Sequence, residues 1–154
     1  LSSLLFLAVI KRDVTTKERT DNQLLAMFGT FQQSHLRIEV NASAQSIRES
    51  LCYPEKLRQW LFPQQLSRGL PHELQAGLTF TSSTGLVTIK HEIETLTDSY
   101  LRLLLSEGVD GYHEWCWDEG WVQSRLEGIS LLPLNLAQTA ALLRLRQFVE
   151  RVSA

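Results

Sequence analysis

A chain of 154 residues with 44% hydrophobic and 21% charged side chains has ordinary globular composition, which excludes a disordered polymer or a fibrous repeat. Its 15 basic and 17 acidic residues give a net charge of -2. They are scattered rather than gathered into a basic stripe, so no nucleic-acid partner is expected.

The first ten residues, LSSLLFLAVI, are apolar and run directly into Lys11 and Arg12. As a helix they would reach about 15 Å, half of a bilayer core, so no stable membrane insertion is expected. They also lack the basic opening of a signal peptide, and a cytoplasmic location is expected. Thr15 to Asn22 is a polar linker, and the only methionine is Met27. Residues 1–26 therefore read as an upstream extension, with the stub of a membrane anchor as the alternative. The expected division is a poorly ordered extension over 1–33 and one domain over 34–154.

From Leu36 to Val40 apolar and polar residues alternate, the period of a strand with one wet face. Ser43 can cap the short amphipathic helix that follows, carrying Ile47 and Leu51. Pro54 stops that helix and opens a second, with Leu57, Trp60 and Leu61, which Pro63 closes. A series of strands comes next. Leu78 to Thr81 leads to a turn at Ser83-Thr84-Gly85, and Val87 to Glu94 alternates. Tyr100 to Ser106 follows, then a turn at Gly108 to Gly111. Tyr112 to Asp118 and Trp121 to Leu132 flank the hairpin signal Asp118-Glu119-Gly120.

The last element is a helix, with Asn135 and Gln138 in capping-box spacing. At about 100° per residue, Ala137, Ala141, Leu142, Leu145, Phe148, Val149 and Val152 form one apolar stripe. Leu136 and Leu143 fall outside it.

The strand faces agree with one another. Leu36, Phe80, Ile89, Leu103, Trp115, Trp117 and Leu126 share the dry side, while Arg37, Lys90, Glu92, Arg102, Glu114 and Arg125 share the wet one. Such a sheet is antiparallel, and its dry side needs a cover. A strongly twisted sheet of six or seven strands presents more apolar surface than one helix fills. The space left is either packed solid by tryptophans or kept as a pocket.

His91 and His113 lie on the dry face. Each can anchor a ligand or act as a general base; each can equally be a structural histidine with one satisfied hydrogen bond. Trp60, Trp115 and Trp117 suit either an aromatic pocket or a core, and Trp121 falls on the outer face. The expected pocket wall comprises these two histidines and three tryptophans with Phe80, Ile89 and Leu103. Ser124 on the neighbouring strand and Leu145 on the helix complete it. No metal site is expected, because His113 points away from Cys116 and Asp118 on its own strand. Cys52 and Cys116 read as buried reduced thiols, with a disulfide left open. No nucleophile motif and no glycine-rich phosphate loop occurs, so no catalytic residue and no cofactor is assigned.

The order strand, two short helices, antiparallel strands and a long terminal helix resembles the helix-grip fold of the START and birch-pollen-allergen superfamily, also called SRPBCC. HLRIEVNASAQSIRESLCYPEKLRQWL is similar to that superfamily's opening, with the parts at Leu36 to Val40, Ser43, Pro54-Glu55 and Trp60. WDEGWVQSRLEGISLLPLNLAQTAALLRLRQFVE is similar to its last hairpin and gripping helix. Small bacterial, polyketide-cyclase-like members are the nearest in kind. The resemblance implies an α+β fold and carriage of a small hydrophobic molecule such as a lipid, isoprenoid or polyketide. A cyclase or dehydratase working in the same pocket is the alternative, and a protein-interaction module with a packed interior is a third. Monomer and dimer stay open.

Overall fold

In the computed structural model, which describes residues 29–154, the alternating segments become seven antiparallel strands. The expectations for residues 1–26 lie outside the described residues. Strand β1 runs Thr30–Glu39 and pairs with the last strand from Thr30↔Ser130 to Glu39↔Trp121. It thus starts before the boundary expected between 33 and 34, and residues 30–33 are strand. No alternation marks them. Backbone pairing extends the strand there, helped by the Gln32 amide, which donates to the carbonyls of Ser130 and Leu132.

Helix α1, Ala44–Cys52, is capped as its sequence requires: the Ser43 hydroxyl accepts from the Ser46 N–H at 3.1 Å. Helix α2, Pro54–Trp60, opens on its proline. The two bury Ile47, Leu51, Leu57 and Trp60, and the Trp60 indole N–H donates to the Ser50 carbonyl. A two-residue strand, β2 at Gln65–Leu66, pairs with β3, Thr79–Thr84; nothing in its sequence announced it. Then come β4, Val87–Leu96, β5, Tyr100–Glu107, β6, Asp110–Asp118, and β7, Trp121–Ser130. The sheet order is β1-β7-β6-β5-β4-β3-β2. Among the described residues no helix is long and apolar enough to cross a membrane.

Two turns shift from their expected places. Thr84 still pairs with Val87, so the β3–β4 turn is Gly85-Leu86. Glycine at 111 lies inside β6, directly opposite Gly128. A Cβ there would sit 1.9 Å from the Glu127 carbonyl oxygen and 2.5 Å from the Gly128 Cα, so the residue is glycine for close strand approach, not for turning. Gly111→Ala is expected to lower stability by about 1–3 kcal/mol, because β7's backbone must move. Urea unfolding measures this, and an unchanged midpoint would mean the strands separate freely.

The terminal helix α3, Leu134–Ser153, lies across the dry face. Its expected capping box does not form. Pro133 precedes the first turn, and the Leu134 N–H donates to the Gln32 side-chain oxygen on β1. Asn135 and Gln138 turn instead to β1, donating to the Ser34 hydroxyl and carbonyl respectively. A partner across the fold has replaced the local cap. Leu142, Leu145, Phe148 and Val149 are buried as the stripe requires, while Ala137 and Val152 at its two ends are exposed. Leu136 and Leu143, off the stripe, face outward.

The outer face is solvated and cross-linked by charge. Arg102 bridges Glu94 and Glu114, and Arg37 lies 4.0 Å over the Trp121 ring, which places that tryptophan outside. Both cysteines are free, so no disulfide joins them. Cys52 is buried; Cys116 is half-buried on the outer face, because it alternates with Trp115 and Trp117.

Candidate functional site

The helix α3 does not fill the concave side of the sheet. Toward β3, β4 and β5 the gap is roofed by α1, α2 and the segment carrying Leu74, whose N–H donates to the Cys52 carbonyl. A cavity of about 150 Å³ remains. Leu51, Leu57 and Trp60 bound it on one side, Phe80, Ile89, Leu103 and Leu105 on the sheet, and Ala137 and Ala141 on α3. Trp60 and Trp115 meet edge to face across it, with ring centroids 6.4 Å apart. An apolar space of this size holds a molecule of roughly one aromatic ring.

Of the expected wall, Trp60, Phe80, Ile89, His91, Leu103, His113 and Trp115 border this cavity. Trp117, Ser124 and Leu145 do not: each is almost completely buried and packs behind the wall or beyond it. Strand alternation gives a residue's face but not how far along the sheet the cavity extends. Gln64, Ser82 and Gln138 belong to the site and were not foreseen. Ser82 shares the face of Phe80, two residues away, and Gln138 sits on the apolar stripe four residues before Leu142. Both were therefore visible as polar residues on dry faces. Gln64 lies in a connection without any such signal.

These polar residues form two parallel arms. The Gln64 side-chain N–H donates to the Ser82 hydroxyl at 2.6 Å, and that hydroxyl is 2.7 Å from His91 Nε2. The Gln138 side-chain N–H donates to the Ser124 hydroxyl at 2.8 Å, and that hydroxyl is 2.7 Å from His113 Nε2. His91 stacks on Phe80 at 4.8 Å, and His113 leans on Trp115 at 4.6 Å.

Both imidazoles are neutral at neutral pH. Burial disfavours the charged ring and pushes His91 down to about 4. Burial, with a smaller contribution from the nearby His91, takes His113 down to about 3. Both rings line the cavity. Among the described residues no three His, Cys, Asp or Glu side chains come together as metal ligands do.

No protein-family model matches the sequence, and no curated protein matches it. Solved structures do match the fold. A Chromobacterium violaceum protein is 17% identical, with 77% of this chain and 97% of that one covered at a TM-score of 0.62. DynU16, from the dynemicin biosynthetic locus, is 16% identical at 0.60; 79% of this chain corresponds to 48% of that larger one. The major latex-like protein of Panax ginseng is 11% identical at 0.59, with 82% and 99% covered. Seven antiparallel strands, two short helices after the first and a long gripping helix over the concave face give this chain the helix-grip fold.

Proposed function

We propose that this chain binds and carries a small hydrophobic molecule in the cavity between sheet and α3. The carrying observation is the cavity itself: about 150 Å³, walled by leucine, isoleucine and aromatic side chains. The volume narrows the lipid, isoprenoid or polyketide class to a compact ring or to one end of a longer chain. Cys52 and Cys116, both free, fit a reducing compartment, and the proposed location is the cytoplasm.

A cyclase-type enzyme is the second reading, favoured by two imidazoles at one apolar cavity. Acid–base catalysis works best with a group that titrates near the working pH. His91 and His113, held at about 4 and about 3, are weak bases and are not charged acids at neutrality. That favours binding over chemistry. The interaction-module reading rests on a packed interior, and the cavity supports the carrier over it.

Native mass spectrometry of the freshly purified chain looks for a retained apolar mass, and calorimetric titration with toluene tests the space directly. Ala141→Leu, on the α3 wall, should abolish toluene binding while changing stability by less than about 1 kcal/mol, since the added methyl groups enter open volume. Overpacking a filled core would instead lower stability by about 1–3 kcal/mol. That loss, with no toluene uptake by the wild type, would end the carrier and enzyme readings together.

A further inference from the structure

The residues that border the cavity give it a direction. Three cross-strand pairs, Ser82–Ile89, His91–Leu105 and Leu101–Trp115, succeed one another along the sheet. From Ile89 to His91 is two positions and from Leu105 to Leu101 four, so the ends of the row lie roughly 20 Å apart. At the first end Leu66, Ile89 and Leu132 are half-buried and Ala137 is exposed, so the cavity opens there. At the other end Leu51, Leu74, Leu101 and Trp115 are no more than 5% exposed, so it ends blind. A volume of about 150 Å³ spread along such a row has the shape of a chain, not of a sphere.

The blind end is closed by a strap, residues 68–77, that has no strand or helix of its own. Gly69 and Gly77, at φ of +76° and +84°, bend the chain into and out of it. Before it, the Ser67 N–H donates to the Thr81 carbonyl; at its end, the Gly77 N–H donates to the Ile93 carbonyl at 2.7 Å. Between these anchors the Leu74 N–H donates to the Cys52 carbonyl at 2.8 Å, and Glu73 pairs with Arg48 at 2.6 Å. Pro71, His72, Gln75 and Ala76 are exposed, while Leu74 alone of the strap borders the cavity. The strap is therefore one side chain thick. We infer that Leu74 is the residue that sets ligand length: an unbranched apolar chain enters with its polar end left at the open end, and its far end stops against this side chain. This rests on the carrier reading above and deepens it from an apolar ligand to a chain of limited length.

Unbranched 1-alkanols from butanol to decanol, titrated calorimetrically, read that length. Each methylene that leaves water for the cavity tightens binding about fourfold, and one past the stop adds nothing. Wild-type affinity should climb at that rate and then level off. In Leu74→Ala the break should move to alkanols about two carbons longer, the depth of the hole that the truncation leaves. Leu74→Phe should move it to shorter ones. Leu105→Ala removes the same atoms from the side wall and should leave the break in place. Toluene binding by each variant reports an intact cavity, and loss of stability cannot shift the break in opposite directions. Should one Leu74 variant fail to fold, the shift in the other decides. A break that stays put, or that moves as far in Leu105→Ala, overturns the length stop and leaves the carrier reading standing. A wild-type chain that binds neither toluene nor any alkanol overturns both.

Discussion

Phe148→Ala should lower the unfolding free energy by about 3–5 kcal/mol, the range for truncating a buried aromatic ring. Phe148 is 3% exposed and belongs to the stripe with Leu145 and Val149, which are fully buried. The ring sits where α3 closes the concave face, so its removal leaves a hole bounded by helix and sheet that neither can fill without sliding. Arg146→Ala is the control. Arg146 is exposed and pairs with Glu150 at 3.2 Å, and an exposed pair of this kind contributes about 0–1 kcal/mol. Urea unfolding of both variants, with the slope compared as well as the midpoint, decides the matter. A Phe148→Ala loss below about 1 kcal/mol would mean that α3 does not depend on this contact to hold the sheet.

Stability should fall steeply on mild acidification, between about pH 6.5 and 4.5. An imidazole titrates near 6.5 when unfolded. In the fold His91 and His113 are held at about 4 and about 3, so in this window the unfolded chain binds more protons than the folded one. Their contribution is complete above 6.5 and is lost as pH falls toward the folded values. Each group adds a slope of about 1.4 kcal/mol per pH unit, so two give roughly 5 kcal/mol across two units. That rivals the whole stability of a small domain. Glu49 acts in a lower window. Its hydrogen bond from Lys56 holds its carboxyl below the usual range, so its contribution is present at higher pH and is lost only on stronger acidification. His113→Gln, which cannot take up the proton, should about halve the slope between pH 6 and 5 in urea titrations. A flat profile across that range would show that the imidazoles are solvated and that the cavity is open to water.

The sequence by itself determined most of the secondary structure and which side of it is dry. Alternation at Leu36 to Val40, Val87 to Glu94 and Tyr112 to Asp118 admits only strands with one wet face. Ser43, Pro54 and Gly120 punctuate the chain through their own hydroxyl, ring and positive φ, and need no distant partner to do so. The stripe Leu142, Leu145, Phe148 and Val149 likewise fixed the covered face of α3. From these the fold and part of the cavity wall were legible, both histidines among it. Only the tertiary structure decided where the cavity stops. Leu145, Trp117 and Ser124 share faces with the wall but are packed behind or beyond it, because depth depends on sheet curvature and not on period. The start of α3 was decided the same way: Asn135 and Gln138 abandon the local cap for Ser34 on β1, 101 and 104 residues away in sequence. The pairing of Gln64 with Ser82 and His91 follows that rule too. A side-chain hydrogen bond between distant segments exists only once packing has brought them within 3 Å, and no local pattern of residues encodes that approach.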